Sequence, residues 1–167
     1  DRLKEKGCKI TGVDRYPLAE GFELDAFIQH DLNGGVPPVS LKDFDFVLML
    51  DVIEHLLSPE EFVDRLKDAT AHAPDTTIVV STGNIGFIIA RVMLLCGQFN
   101  YGKRGILDIT HTRLFTFGTL RRLFEQAGFD IMESKGLPAP FPLALGDNWF
   151  ARFLLKLNDL SIRVWKS

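Results

Sequence analysis

The sequence predicts an α/β domain built on a mainly parallel sheet. The first sign is two short apolar runs, Phe46–Leu50 and residues 76–81, with the length and composition of strands buried on both faces. The second is the rhythm of the chain, in which strand-like runs alternate with amphipathic segments that carry helix-start residues. The third is the abrupt change after Leu50, where Asp51, Glu54 and His55 follow the apolar run. In open α/β sheets, chemistry collects just beyond the carboxyl ends of such strands.

Residues 1–6 followed by Gly7 read as the last turns of a helix with a C-terminal glycine, expected of a chain that continues upstream. Residues 8–13 form a strand candidate closing at Asp14. An acid there can accept hydrogen bonds from the two hydroxyls of a ribose, the plainer alternative being a solvated turn acid. A short, irregular helix is expected over residues 17–25 and a second strand over residues 26–30. Asp31-Leu32 and the turn Asn33-Gly34-Gly35 follow, and Pro37-Pro38 predicts extended chain as far as Asp43.

After Leu57, Ser58 is the expected cap of a helix with Pro59 in its first turn and Glu61 completing a capping box. Phe62, Val63, Leu66 and Ala73 form its apolar face, and Pro74 stops it. The strand at 76–81 ends in the loop Thr82-Gly83-Asn84, and residues 85–97 read as a helix apolar nearly all round. Residues 98–108 are a loop rich in glycine and charge. Thr116 caps a helix with Leu120, Leu123, Phe124 and Ala127 at helical spacing, closed by Gly128. Residues 129–135 alternate as a strand. Pro138, Pro140 and Pro142 lead to a final amphipathic helix, roughly residues 148–164. Residues 1–137, with an insertion at 85–115, are therefore read as the core of one domain, and 138–167 as a linker and helix of the same domain.

Composition narrows the function classes. With 167 residues, 46% hydrophobic and 25% charged, the chain has the make-up of a globular domain with a substantial core. A net charge of −3 and the lack of a long basic run argue against nucleic acid as partner. Cys8 and Cys96 have no metal-type spacing, and a reducing cytoplasm is the expected compartment. No signal peptide opens the sequence, and residues 85–97, interrupted by Arg91, fall short of the roughly 20 residues that a bilayer span needs.

Asp14 at a strand tip, Asp31-Leu32 after the next strand, the string FDFVLMLDVIEHL, the SPEEF helix start and HTRLFTFGTLRRLFEQAGF together resemble a class I S-adenosylmethionine-dependent methyltransferase. The similarity is greatest to the type 11/12, ubiquinone-biosynthesis-like enzymes that act on small molecules, and it runs from Gly7 to Lys135. It implies a Rossmann-like fold, a mostly parallel sheet with flanking helices. It also implies roles: Asp14 for the cofactor ribose, Asp31 and Leu32 beside the adenine, Leu50 and Asp51 lining the pocket near the methyl group. The family opens with a strand and a glycine-rich loop and closes with an antiparallel strand. The sequence contains neither, so the resemblance implies a fold truncated at both ends. It further implies a gap or rearranged pairing between the strands ending at Asp14 and Leu50.

Methyl transfer to a hydroxyl or an acidic carbon is helped by a base near the methyl group, and histidine suits that role near neutral pH. His111, before a helix and after a long loop, is the first candidate; His55 is the second, with Glu54 beside it. His30 and His72 read as ordinary strand-end and helix-surface residues. If residues 52–57 turned helical, Asp51, Glu54 and His55 would share a face, and with His111 would offer two carboxylates and two imidazoles to a divalent ion. Some relatives with an acid-x-x-Glu-His motif use metal in this way. The preferred reading is that Glu54 and His55 bond to nearby backbone, and no metal ligand is assigned.

The resemblance implies that the insertions at 85–97 and 148–165 define the acceptor side, the plainer alternative being core packing or a dimer face. Their apolar character points to a hydrophobic or lipid-linked small molecule, or to contact with a membrane surface. The function expected is methyl transfer from S-adenosylmethionine to a small-molecule acceptor. The alternative is a non-catalytic Rossmann-like binding or assembly module. A nicotinamide-dependent dehydrogenase would share the ribose acid, but the Glu-His string favours methyl transfer. An exposed sheet edge would favour self-association, so a homodimer is the assembly to look for.

Overall fold

A computed structural model describes residues 2–138, 148–149, 152–153 and 155–156. The chain divides into two compact units, residues 1–82 with 110–113, and residues 83–109 with 114–167.

The first unit opens with α1 (Arg2–Glu5). Gly7, at φ +80°, ends it as expected: its N–H donates to the Lys4 carbonyl (2.8 Å), and the Cys8 N–H donates to the Leu3 carbonyl (3.1 Å). This paired bonding satisfies two orphan carbonyls and turns the chain outward. Strand β1 (Thr11–Asp14) then pairs in parallel with β2 (Ala26–Gln29), Thr11 opposite Ala26 and Asp14 opposite Gln29. The helix expected over residues 17–25 is not formed. Pro17 and Gly21 (φ +88°) interrupt it, and Tyr16, Leu18 and Phe22 stay exposed, so no apolar face exists to hold it. Instead Asp25 secures the crossover by accepting the Ile10 N–H at 2.7 Å. That backbone donor is the main reason its carboxyl lies below the usual range, with Lys4 adding to it.

Strand β3 (Phe46–Leu50) pairs in parallel with β4 (Thr77–Ser81), with Phe46 opposite Thr77 and Leu50 opposite Ser81. The β1–β2 and β3–β4 ladders are separate two-stranded sheets. The sheet is therefore interrupted between the strands ending at Asp14 and Leu50, and the outcome is a gap rather than a new pairing. Burial of β3 on both faces is not observed. Phe46, Leu48 and Leu50 are 62%, 46% and 56% exposed, whereas Met49 is buried. Successive side chains on a strand point to opposite faces, and only one face of β3 is covered.

Ahead of β3, the chain expected to stay extended to Asp43 closes into a 3₁₀ turn at Leu41–Asp43, its carbonyl Leu41 bonded by the Thr76 hydroxyl (2.9 Å). Helix α2 (Pro59–Thr70) buries Phe62, Val63 and Leu66 as expected. Ser58 does not cap it through its side chain, and Glu61 pairs with Arg65 one turn on instead of closing a capping box. With Leu41, Met49, Ile53, Leu56 and Ala73, the α2 residues make up the buried apolar set of this unit. Leu66→Ala is expected to cost about 3 kcal/mol of stability, the usual range for emptying a buried leucine site. A denaturation midpoint equal to that of the parent would show that this face does not hold the unit together.

In the second unit, α3 (Ile88–Leu95) is shorter than expected, and Ala90 is its buried residue. The loop after it carries a bridge between Gly102 and Asp108. Helix α4 (Phe117–Gln126) has the predicted cap, with Thr116 accepting from the Thr119 N–H and Thr119 bonding back. Gly128 (φ +86°) closes it. Residues 129–135 form no strand: Phe129 and Ile131 are half-buried and Asp130 and Met132 exposed, but no ladder partner lies among the described residues. Alternation supplies a face, and a strand also needs a neighbour to bond with. The expected C-terminal helix is seen at Trp149, Arg152, Phe153, Leu155 and Lys156; the rest of it, with Pro140 and Pro142, lies outside the described residues.

Candidate functional site

The site is built at the end of β3. Asp51 takes φ +53°, a left-handed conformation that costs about 1 kcal/mol for a residue with a Cβ and that Asp tolerates better than most. Its N–H donates to the carbonyl (3.0 Å) and hydroxyl oxygen (3.2 Å) of Ser81 at the tip of β4, and the Ser81 hydroxyl donates to Asp51 Oδ1 (3.0 Å). Ser81 thus holds both backbone and side chain of Asp51. Sequence reading missed it; the usable signal is a hydroxyl at the last position of a strand paired with β3.

Beyond Asp51 the chain makes a single 3₁₀ turn, Ile53–His55, rather than the α-turn that would align Asp51, Glu54 and His55. At three residues per turn, adjacent positions point about 120° apart. Glu54 faces inward and is 2% exposed, while His55 is exposed. The four groups Asp51, Glu54, His55 and His111 are not gathered around a common point. Among the described residues no group of three or more His, Cys, Asp or Glu side chains is placed to hold a metal ion.

What the turn does gather is the segment 110–113. The Glu54 carbonyl accepts the N–H groups of Thr112 (2.9 Å) and Arg113 (3.2 Å). The Thr112 hydroxyl lies within bonding distance of two carbonyls, Glu54 (3.0 Å) and Leu56 (2.6 Å). Arg113 pairs with Glu60 at 3.0 Å. His111 is thereby delivered to His55, the ring centroids 4.8 Å apart and the planes at 76°. His55 Nδ1 lies 3.2 Å from the Thr110 carbonyl oxygen. The Thr110 hydroxyl lies 3.3 Å from the same nitrogen, so Thr110 engages Nδ1 in either tautomer: its carbonyl accepts from a protonated Nδ1 and its hydroxyl can donate to an unprotonated one. Thr110 and Thr112 were missed as individual residues, although both flank the HTRLF string.

The cofactor candidates stand at strand ends of the same unit. Asp14, at the tip of β1, is exposed and accepts the Tyr16 N–H through Oδ1 (2.8 Å), with Oδ2 taking no bond among the described residues. Asp31 caps the 3₁₀ turn Leu32–Gly34, its Oδ1 accepting the Asn33 N–H (2.9 Å) and side-chain amide (3.0 Å). The Asn33 N–H is the leading cause that holds the Asp31 carboxyl below the usual range, partly opposed by desolvation. A carboxylate lowered by folding contributes stability above its unfolded pKa, and loses it as pH falls through the folded value. Asp31→Asn should therefore flatten the loss of stability below about pH 4, as read from denaturation at a series of pH values. An acid limb identical to the parent's would refute the capping role.

Leu32 borders a cavity of about 150 Å³, beside Leu56, Leu57, Phe62 and Arg65. Ligand pockets run from about 300 Å³ upward, so the cavity is smaller than a pocket that encloses a whole cofactor. The Asn33 side-chain oxygen accepts the Leu57 N–H at 2.9 Å, which ties the turn after β2 to the chain after β3. His30 is bonded to the Gly35 carbonyl (3.0 Å), a structural role.

These residues suit a nucleoside with a free diol and an amino-bearing base. Asp14 offers an acceptor oxygen in the open, Asp31 keeps Oδ2 beyond its capping bonds, and the exposed Leu50 offers an apolar surface. A family model described as a methyltransferase domain matches residues 1–134. Comparison with curated proteins returns no match.

Proposed function

Because the chain belongs to the methyltransferase-domain family, we propose that it serves a class I reaction in which S-adenosylmethionine methylates a small molecule. Among the family's branches, the ubiquinone-biosynthesis-like enzymes are the proposed relatives, on the strength of the DVIEHL and HTRLFT strings. The proposed compartment is the cytoplasm, which suits the two exposed free thiols, Cys8 and Cys96. A homodimer is the proposed assembly.

The observation that carries the reading is the pairing of His55 and His111 just past the end of β3, with His55 Nδ1 held by Thr110. The bound donor would supply an electrophilic methyl group on a sulfonium. Asp14 would hold the ribose, Asp31 and Leu32 the adenine edge, and Leu50 with Asp51 the side of the pocket near the reacting carbon. His55 Nε2 would take the proton from an acceptor hydroxyl or acidic carbon, and His111 would support its ring. Glu54, buried and anchoring residues 112 and 113 through its carbonyl, acts as a positioning residue rather than as an acid or base.

The separation of the two strand pairs favours a second reading, a Rossmann-like binding or assembly module without turnover. Calorimetric titration with S-adenosylhomocysteine separates the two. Saturable binding that competes with S-adenosylmethionine supports the enzyme reading; absence of any binding, in this chain and in any longer chain that contains it, would sink it.

A further inference from the structure

Helix α3 presents its apolar residues outward. Ile88, Val92 and Leu95 fall at i, i+4 and i+7, one row along the helix, and are 51%, 50% and 87% exposed. Ile89 and Leu94 are exposed beside them, and the loop that follows adds exposed Phe99 and Tyr101, packed edge to face at 5.6 Å. Charge in this stretch runs against the rest of the chain. From Gly83 to Ile109 there are three cations, Arg91, Lys103 and Arg104, and one acid, Asp108, in a protein whose net charge is −3. Lys103 and Arg104 are exposed and make no ion pair among the described residues. Arg91 Nε donates to the Gly86 carbonyl at 2.6 Å, which keeps its cation at the start of the helix.

We propose that residues 85–104 are an interfacial anchor for an anionic lipid bilayer. The eight residues of α3 span about 12 Å, less than half of a bilayer's hydrocarbon core, and no described helix is long and apolar enough to cross one. A helix of this kind lies in the plane of the interface. Ile88, Val92 and Leu95 enter the boundary of the acyl chains, Phe99 and Tyr101 sit at headgroup level, and Lys103 and Arg104 meet the lipid phosphates. Charge selects this occupant over a second copy of the chain. Two copies joined through this stretch would bring together three cations and a single acid, Asp108, from each side, a net repulsion.

Flotation with lipid vesicles tests the proposal. The protein is expected to float with vesicles of phosphatidylcholine mixed with phosphatidylglycerol. It should bind vesicles of phosphatidylcholine alone roughly tenfold more weakly, and high salt should release it. Ile88→Ser, Val92→Ser and Leu95→Ser together replace exposed side chains, so the circular dichroism should be unchanged while binding falls roughly tenfold or more. Lys103→Glu with Arg104→Glu should lower binding to anionic vesicles roughly tenfold and leave binding to neutral ones unaltered. No flotation with anionic vesicles, equal flotation with both kinds, or binding untouched by both variants would overturn the proposal. So would a parent that ignores vesicles and sediments as a dimer that the triple serine variant splits, which would assign the face to a second copy.

Discussion

His55→Gln is expected to lower kcat by about two to four orders of magnitude, with little change in KM for the methyl donor, the range for removing a positioned general base. The expectation rests on one geometric fact. Thr110 holds Nδ1 of His55, its carbonyl at 3.2 Å and its hydroxyl at 3.3 Å, and the proposed base is the tautomer in which the carbonyl takes the Nδ1 proton and Nε2 accepts a proton from substrate. Glutamine approximates the size of the ring and can still donate to Thr110, but offers no base. His111→Gln should do less, about tenfold, because His111 supports the ring from its edge at 4.8 Å. Steady-state rates for both variants, measured with a competent acceptor, decide the assignment. Equal kcat for parent and His55→Gln would remove His55 from the chemistry, and a larger loss at His111 would exchange the two roles.

Asp14→Ala is expected to weaken S-adenosylhomocysteine binding by about two to three orders of magnitude. A carboxylate that bonds both hydroxyls of a ribose makes two charge-assisted hydrogen bonds, each contributing about 1.5–3 kcal/mol. Asp14 is placed for this at the tip of β1, although its Oδ1 also caps a local turn through the Tyr16 N–H. That second job sets the control. Asp14→Asn keeps an oxygen for the turn and loses the charge, so it should preserve the local fold while still losing most of the affinity. Calorimetry on both variants reads the difference, and full affinity in the asparagine variant would show that Asp14 does not hold the ribose.

Features legible in the sequence were those settled within a few residues. Gly7 stops α1, and Thr116 starts α4, because a cap bonds backbone groups of its own turn. The apolar run Phe46–Leu50 was legible as a strand, and residues 59–70 as a helix with Phe62, Val63 and Leu66 inward. The Ser58 signal failed although its spacing was right. A capping box depends on where Glu61 turns, and Arg65 competes for it from the next turn.

The sequence by itself determined the four strands and their parallel character, the helices α2 and α4, and the methyltransferase domain. Only the tertiary structure decided which acids and histidines meet. One 3₁₀ turn in place of an α-turn sends Glu54 inward and His55 outward, and a clasp across 58 residues, Thr112 on Glu54, brings His111 beside His55. It also decided that β3 is covered on one face and that the outward row of α3 is apolar. The reason is physical: hydrophobic pattern records what a segment can bury, whereas burial and side-chain pairing depend on what the rest of the chain places against it.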